Sequence, residues 1–514
     1  MQLKMRIPLS RCRVGGGFAP AAIVVAGLVI GLGLAAGGCG SRRAPSGPGT
    51  AASPMRVTVK VASPGDPPSA LVSNLGRRWA SRTGAALEVV AYDPRQGPES
   101  VVDADLWLVP AAELPRVAAA GLLRTLPSQA ARTRRGFDWT DLLAVYPDRL
   151  LTWKGELFAL PVQGDAPVAF YRRDLLADPR LQAAYRQEFG KDLAPPATWE
   201  DVADFAAFVS REVRQGGPTL PPLPTDDADL VAEFEALAAS AAVREVHVSD
   251  RKAHGDAETF SFHYDLATGR PRLAYPAFVH ALELMKRLQP LRAAAGSQAP
   301  PEAFARGDAV FCLADASWVR RFDRAKPPVA VGVCRVPGSR RVFEAGGQPR
   351  DVPGGNYMPY LGTHAFLGVV PRSAAHPEEA LDLLAELAGP EASRQAVIEP
   401  SHGGGAFRRD HFADTRGWSS FGLDQGQTAA LVQALQATLI HSGLSNPTTC
   451  LRLPDAREHV AVLGAELRAA LTGGKEPRIA LEAAAARWRE LDARKPEGQA
   501  RADYALGLGL IPPR

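Results

Sequence analysis

The chain has 514 residues, of which 46% are hydrophobic and 22% are charged, and this composition is typical of a globular protein. Its formal charge is +4, and the four basic residues before Phe18 account for it, since 4 − 4 leaves 0 for the remainder. A near-neutral protein lacks the basic surface that nucleic-acid binding requires, so no nucleic-acid partner is expected.

The N-terminal segment is basic and then apolar. Phe18–Gly38 carries no charge and is long enough to span a bilayer. Small residues at Ala36–Gly38 precede Cys39, a pattern that resembles a lipobox. We therefore predict that residues 1–38 are a lipoprotein signal peptide, that Cys39 is lipidated and that residues 39–54 are a flexible tether. An uncleaved anchor and a free secreted form are the alternatives, and all three place the rest of the chain outside the cytoplasm.

Beyond the signal and Cys39, three cysteines remain. Cys312, Cys334 and Cys450 are too few for a disulfide framework and do not have the spacing of metal ligands. The sequence leaves two alternatives for these cysteines, a Cys312–Cys334 bridge or three buried free thiols. No metal and no cofactor are expected.

The first part of the exported chain alternates strands with helices. Strands are predicted at Met55–Ala62, Ala86–Tyr92 and Ala104–Val109, and helices at Ser69–Ser81 and Pro115–Leu123. This alternation predicts βαβ units on a mostly parallel sheet.

Further along, two strands flank Pro161, and a helix begins after Thr198. Thr198 can cap that helix together with Asp201, three residues on, as in a capping box. The two strands that flank Pro161 are Glu156–Leu160 and Val168–Tyr171, and the other predicted strands are Ala309–Leu313, Ala330–Val336 and His364–Val370. The other predicted helices are Leu230–Val243, Pro276–Leu288, one beginning at Pro377, Ala456–Leu471 and Ile479–Ala493. The chain is thus α/β with a C-terminal helical portion.

Several segments resemble, in order and spacing, the sugar-type extracellular solute-binding proteins of ABC importers. They are Ala104–Leu126, Lys154–Leu176 (KGELFALPVQGDAPVAFYRRDLL), Pro195–Val202 (PPATWEDV), Phe304–Trp318 and Gly332–Gly338. The resemblance implies a two-lobed, hinge-linked, periplasmic-binding-protein-like α/β fold of type II, with ligand held in the cleft between the lobes. One departure is that Val109–Ala112 replaces the aromatic and acidic set of maltose-binding-protein-like members, so maltodextrin specificity is not implied.

Domain boundaries follow from the resemblance. Lobe one is expected at 55–160 with 339–400, lobe two at 161–338 with 401–494, and a C-terminal tail at 495–514. The two crossings between the lobes are expected near Leu160–Val162 and Pro337–Arg340.

The resemblance also implies the function. The protein is expected to be a substrate-binding lipoprotein that captures a small solute, above all a carbohydrate, and delivers it to ABC permease subunits. It is expected to be a monomer without catalytic residues, exported to the periplasm or cell surface and held at the membrane by Cys39. A sensor or orphan binding protein of the same fold is one alternative. A secreted hydrolase is another; His402–Gly405 resembles an esterase oxyanion loop, but the chain has no G-x-S-x-G elbow.

Asp165 and Trp318 are the main predicted ligand contacts. Asp165 falls where the family carries a sugar-contacting carboxylate, with Gln163 beside it, and a surface turn is its alternative role. Trp318 matches a position where an aromatic ring stacks on the sugar, and a core position is its alternative. Asp315 is a lesser candidate.

Three tyrosines and an arginine complete the predicted site. Tyr171 ends an apolar strand, where a structural role is the alternative. Tyr357 and Tyr360 lie in a loop of turn residues before a strand. Arg408 ends the Gly-rich turn Ser401–Arg408 and could pair with an acidic sugar or be solvated.

Overall fold

A computed structural model describes residues 57–126, 137–217, 219–243, 260–294, 299–323, 329–344, 346–399, 405–413, 415–440 and 448–510. The predicted signal peptide, the lipidation site Cys39, the tether and most of the Gly-rich turn at 401–404 lie outside these residues. Within the described ranges, no helix is both long and apolar enough to cross a membrane.

The first sheet has five strands in the order β2-β1-β3-β13-β6. The strands are β1 Thr58–Ser63, β2 Ala86–Ala91, β3 Leu106–Pro110, β6 Ala159–Gln163 and β13 Phe366–Val369. The first three are parallel, as the βαβ pattern predicts, whereas β13 runs antiparallel to β3 and β6. Helices cover the sheet. The indole N–H of Trp79, in the helix Pro68–Thr83, donates to Asp382 Oδ2, in the helix Pro377–Leu387, at 2.8 Å, and this hydrogen bond joins the two helices.

The second sheet has three antiparallel strands with β7 in the centre. They are β7 Pro167–Arg172, β8 Phe311–Asp315 and β9 Val331–Cys334, in the order β8-β7-β9. Val168, Ala169 and Phe170 are fully buried, because β7 is covered on both faces and therefore reads as one apolar run. The remaining short strands are β4 Thr152–Trp153, β5 Glu156–Leu157, β10 Ser339–Phe343, β11 Pro349–Asn356, β12 Tyr360–Leu361 and β14 Thr448–Thr449.

Helices make up most of the rest. Those of the first half are α1 Pro68–Thr83, α2 Leu114–Ala119, α3 Arg173–Ala177, α4 Pro179–Phe189, α5 Trp199–Glu212, α6 Asp227–Ala242 and α7 Pro276–Leu288. Those of the second half are α8 Pro300–Ala305, α9 Val319–Asp323, α10 Pro377–Leu387, α11 Pro390–Ile398, α12 Gln425–Leu439, α13 Ala456–Leu471, α14 Pro477–Asp492 and α15 Gln499–Gly507. Helix α2 ends earlier than predicted, because Gly121 turns the chain with φ +71°.

The start of α5 confirms the predicted capping box. The Asp201 N–H donates to Thr198 Oγ1 at 3.2 Å, and the Thr198 N–H donates to Asp201 Oδ2 at 3.1 Å. Asp201 therefore takes the role that Glu usually has in a capping box, and two N–H groups at the helix start have hydrogen-bond acceptors. The apolar face of α5 buries Val202, Phe205 and Val209, as its spacing predicts.

Two lobes follow from the two sheets. We call the five-stranded sheet and the apolar core around it lobe one. We call the three-stranded sheet, the helices beside it and the two apolar cores around them lobe two. The first crossing lies later than expected. Pro161 sits inside β6 opposite Leu367, at a register irregularity that accommodates a residue without an N–H, so the chain leaves the sheet at 164–166.

The second crossing also differs from the expected boundary. Hairpin β10–β11 packs on lobe two, because Gly338 exchanges backbone hydrogen bonds with Ala197 and Trp199, and Asn356 Nδ2 donates to carbonyls of Ser240 and Val243. Residues 339–356 therefore lie with lobe two, and the chain returns through the segment 357–364. The expected tail holds α15, whose Tyr504 is buried.

The three cysteines of the described chain are free thiols. Cys312 on β8 and Cys334 on β9 lie opposite Phe170 and Ala169, on the two sides of β7. Two strand spacings separate them by roughly 9–10 Å, which is too far for a disulfide. The alternative of three unbridged thiols is the one that the structure shows.

Candidate functional site

A cavity of about 410 Å³ opens beside β8 in lobe two. This volume lies within the roughly 300–1,000 Å³ that is typical of small-molecule pockets. Its walls come from α5, α6, the end of α7, strand β8 and the returning segment 357–364. The cavity therefore lies where lobe two meets the chain that leads back to lobe one.

Three predicted aromatic residues meet in this cavity. Trp318, Tyr357 and Tyr360 all line it. Trp318 is half-buried, and the Arg321 guanidinium lies 4.2 Å from its ring centre. The Tyr357 hydroxyl hydrogen-bonds to Thr438 Oγ1 at 3.1 Å, and the Tyr360 hydroxyl donates to the buried Glu235. The two tyrosines are only 2% and 8% exposed, so Trp318 offers the cavity the most surface of the three aromatic residues.

The mouth of the cavity carries two carboxylates and an imidazole. Asp315, as predicted, lines it together with Asp229 and His364, and the last two place Oδ1 and Nε2 4.0 Å apart. Their side chains are 62% and 46% exposed, respectively. Burial lowers the pKa of His364, but the carboxylates of Asp315, Asp165 and Asp229 outweigh it, so the pKa is raised.

Sequence reasoning missed Asp229 and His364. Asp229 follows the helix cap Asp226 and is one of the acids of the first turn of α6, a position that a helix dipole alone would explain. His364 stands at the beginning of a predicted strand. Neither position carries a local signal of ligand binding, because their partner Asp315 lies on a different element.

Further inside, an ion pair lines the wall. Arg292 and Glu233 are paired and nearly buried, with side-chain exposures of 5% and 16%. Arg292 Nη1 also donates to the carbonyl of Pro221 at 3.4 Å. The two charges compensate each other, so this part of the wall contributes no net charge.

Asp165 lies outside the lining of this cavity and is 1% exposed. Its two oxygens accept the N–H groups of Gly362 and His364, both at 2.9 Å. Burial raises the pKa of Asp165, and these two hydrogen bonds oppose the rise. The carboxylate thus joins the first crossing at 164–166 to the second at 357–364. Its predicted contact with a ligand stays a prediction.

The other predicted residues also lie outside the lining. Gln163 ends β6 half-buried, and its Oε1 has no hydrogen-bond partner among the described residues. Tyr171 packs its ring against Gly332 in the second sheet. Arg408 is fully buried and donates to carbonyls of Ala388 and Asp138. The structure therefore brings Trp318, Asp315, Tyr357 and Tyr360 together, and it gives Arg408 partners within the protein.

Comparison with known protein families adds to this geometry. Residues 94–406 match the family described as bacterial extracellular solute-binding protein. The chain belongs to this family. The resemblance found in the sequence is thereby confirmed, and family membership indicates an exported protein. No curated protein sequence matches the chain.

Solved structures share the fold of this solute-binding protein at low identity. Maltose-bound MalE3 of T. maritima is 17% identical, with a TM-score of 0.59 over 85% of this chain and 100% of that one. A solute-binding protein of Agrobacterium radiobacter K84 in complex with ribitol is 18% identical, with a TM-score of 0.60 over 85% and 100%. The sugar-binding protein MalE of Xanthomonas citri is 17% identical, with a TM-score of 0.61 over 85% and 98%. The predicted two-lobed α/β fold is confirmed.

Replacing Asp165 with alanine should lower the free energy of unfolding by about 3 kcal/mol, because two buried N–H groups lose their acceptor. Urea-induced unfolding would measure this loss. Asp315→Ala is the matched control, since Asp315 ends strand β8 and its side chain makes no cap hydrogen bond to the helical turn that follows. We expect the control to lose less than about 1 kcal/mol. An Asp165→Ala protein of unchanged stability that binds solute about 1–3 kcal/mol more weakly would instead make Asp165 a direct ligand contact.

Proposed function

We propose that this protein captures a small solute, above all a carbohydrate, in the cavity beside β8 and delivers it to the permease subunits of an ABC importer. The observation that carries the proposal is the meeting of three aromatic rings with two carboxylates in one cavity, in a chain of the solute-binding family. The proposal describes binding without a chemical step, so no residue is assigned a catalytic role.

The physical fit to a sugar comes from two kinds of group. A sugar ring has an apolar C–H face, which a flat aromatic surface such as that of Trp318 covers well. Its hydroxyls donate hydrogen bonds, and the carboxylates of Asp229 and Asp315 accept them with the added strength of a charge. The related proteins of T. maritima and Agrobacterium radiobacter K84 hold maltose and ribitol, respectively, which supports a polyhydroxylated solute here.

Delivery requires that the lobes close on the solute and open again. The described chain passes between the lobes at 164–166 and at 357–364, and a few residues in such crossings can absorb the dihedral change of a hinge. The second crossing also carries Tyr357, Tyr360 and His364, which line the cavity. A solute in the cavity would therefore contact the segment that moves.

Carbohydrates should raise the thermal unfolding midpoint of the tether-free domain. A ligand that binds only the folded state adds RT ln(1 + [L]/Kd), about 2.7 kcal/mol at a hundredfold excess over Kd. A thermal-shift screen would compare monosaccharides, oligosaccharides and polyols with amino acids and short peptides. Trp318→Ala should abolish the shift while the protein without ligand remains folded. A midpoint that rises only with peptides would overturn the carbohydrate assignment.

Membrane anchoring through a lipid on Cys39 is part of the proposal. The small residues Ala36–Gly38 before Cys39, after a basic and then apolar segment, support it. Cys39→Ser should move the protein from the membrane fraction to the soluble exported fraction, as measured by fractionation and immunoblotting. Continued retention of the variant at the membrane would favour an uncleaved apolar anchor.

A further inference from the structure

The cavity changes character with depth. Its mouth is exposed at Asp229 and His364, whereas its interior, apart from the Arg292–Glu233 ion pair, is walled mainly by apolar side chains no more than 3% exposed. We call this interior the side pocket, and its walls are Trp199, Val202, Leu220, Leu288 and Phe311. Ala232 and Ala236, one turn apart on α6, leave open space beside them.

The side pocket suits an apolar group better than a sugar ring. Hydroxyl groups buried against its hydrocarbon walls would lose their water without gaining partners, which is unfavourable, whereas an apolar group gains from the same burial. Trp199 contributes its ring to the lining, while its indole nitrogen is buried away from solvent. The side pocket therefore offers a mainly apolar surface.

The mouth favours positive charge. Asp229 and Asp315 face the single imidazole of His364, so the net charge of these three groups is negative whether or not the imidazole is protonated. Deeper in the wall, Glu233 and Arg292 cancel each other. Beyond the lining, the carboxylates of Asp165 and Asp226 lie near His364 and Asp229, respectively. The guanidinium groups of Arg321 and Arg335 lie over Trp318 and Tyr357, so these four charges also balance.

We infer that the solute carries an apolar group, which fills the side pocket, and a protonated amine, which pairs with Asp229 and Asp315 at the mouth. The substrate class is then an amino-sugar glycoside with an apolar aglycone. The sugar part of this inference rests on the proposed function. Recognition of the apolar group and the amine rests on the side pocket and the mouth alone.

Three fragments without a sugar test the inference on the tether-free domain. 3-Phenylpropylamine carries both features, 3-phenylpropan-1-ol lacks the charge, and propylamine lacks the ring. Ligand-observed NMR titration should give the first a Kd at least tenfold lower than either of the others. The double variant Asp229→Asn with Asp315→Asn should reduce the affinity for 3-phenylpropylamine to that for the alcohol. Glu283→Gln, which removes an exposed charge of α7 outside the cavity lining, should leave the preference unchanged.

A second variant tests where the ring binds. Ala236→Phe fills the side pocket from α6 and should weaken binding of both phenyl compounds at least tenfold. An unchanged unfolding midpoint would show that the variant is folded. Unchanged affinity for 3-phenylpropylamine in this folded variant would overturn the inference.

The fragment titration and the sugar screen test the inference and the proposed function independently. If 3-phenylpropylamine binds as expected while no sugar raises the midpoint, the inference about apolar and cationic recognition stands and the carbohydrate assignment fails. If sugars bind while the three fragments are indistinguishable, the inference is overturned and the proposed function stands.

Discussion

Replacing Arg452 with leucine should lower the free energy of unfolding by about 4 kcal/mol, because the change breaks a buried hydrogen-bond network. Arg452 is 1% exposed, and its guanidinium donates to the carbonyls of Ala111 at 2.8 Å, Gly507 at 3.0 Å and Thr152 at 3.2 Å. Burial lowers the pKa of Arg452 to about 10, so the group stays charged at neutral pH. Leucine would leave these carbonyls buried without a donor.

The carbonyls come from distant parts of the chain, which is why this side chain matters. Ala111 and Thr152 belong to lobe one, and Gly507 ends α15, the last described helix. Arg452 therefore fixes the end of the chain against lobe one. Urea-induced unfolding followed by intrinsic tryptophan fluorescence would measure the loss.

Arg457→Leu provides the matched control. Arg457 also contacts lobe one, through Glu113 and the carbonyls of Pro94 and Arg95, but its side chain is 40% exposed. Water can satisfy the groups that it leaves, so we expect a loss below about 1 kcal/mol. Equal losses in the two variants would show that burial of the Arg452 network is not the cause.

His411 should make the protein sensitive to acid. The imidazole is 2% exposed and its pKa is lowered from 6.5 to about 3, by burial and then by the positive charges of Arg408 and Arg394. Below pH 6.5 the unfolded chain binds a proton that the folded chain does not. The contribution of neutral His411 to the free energy of unfolding is therefore complete above pH 6.5. It is lost as the pH falls toward 3, about 4–5 kcal/mol in all.

The local geometry explains why the folded state excludes this proton. The Phe407 N–H points at His411 Nδ1 at 3.3 Å, and His411 Nε2 lies 2.9 Å from Ser393 Oγ. Since Nδ1 accepts a hydrogen bond, the proton of the neutral ring is on Nε2, which donates to Ser393. A second proton on Nδ1 would face the Phe407 N–H directly.

His411→Asn separates this effect from the titration of the carboxylates. Asparagine keeps an oxygen near the Nδ1 position but does not titrate. The free-energy difference between wild type and variant should shrink by about 1.4 kcal/mol for each pH unit below 6.5. Stability curves that stay parallel from pH 7.5 to 4 would contradict the prediction.

These contacts also bear on the predicted site. The sequence offers Arg408 as a partner of an acidic sugar, yet its guanidinium is buried and donates to the carbonyls of Ala388 and Asp138. Its positive charge also lowers the pKa of His411. Asp165 likewise joins two backbone crossings. The sequence analysis names both as candidate ligand contacts, but it does not distinguish a side chain that binds a ligand from one that hydrogen-bonds to the protein's own backbone.

Local patterns predicted the secondary structure well. The capping box at Thr198 and Asp201, the helix Pro276–Leu288 and the apolar strand around Phe170 are encoded within a few residues, because caps and periodicity depend on near neighbours in the chain. The first crossing lies a few residues later than predicted, and the second lies after the whole hairpin β10–β11. Pro161 suggested a break, but a register irregularity in the sheet keeps it within β6.

The sequence by itself determined the order of strands and helices, the near-neutral charge of the exported part and the membership of the solute-binding family. Only the tertiary structure decided which carboxylates share a cavity. Asp229, Asp315 and His364 are far apart in the chain and meet because α6, β8 and the returning segment pack together. Such proximity depends on how whole elements pack, and no spacing along the sequence records it.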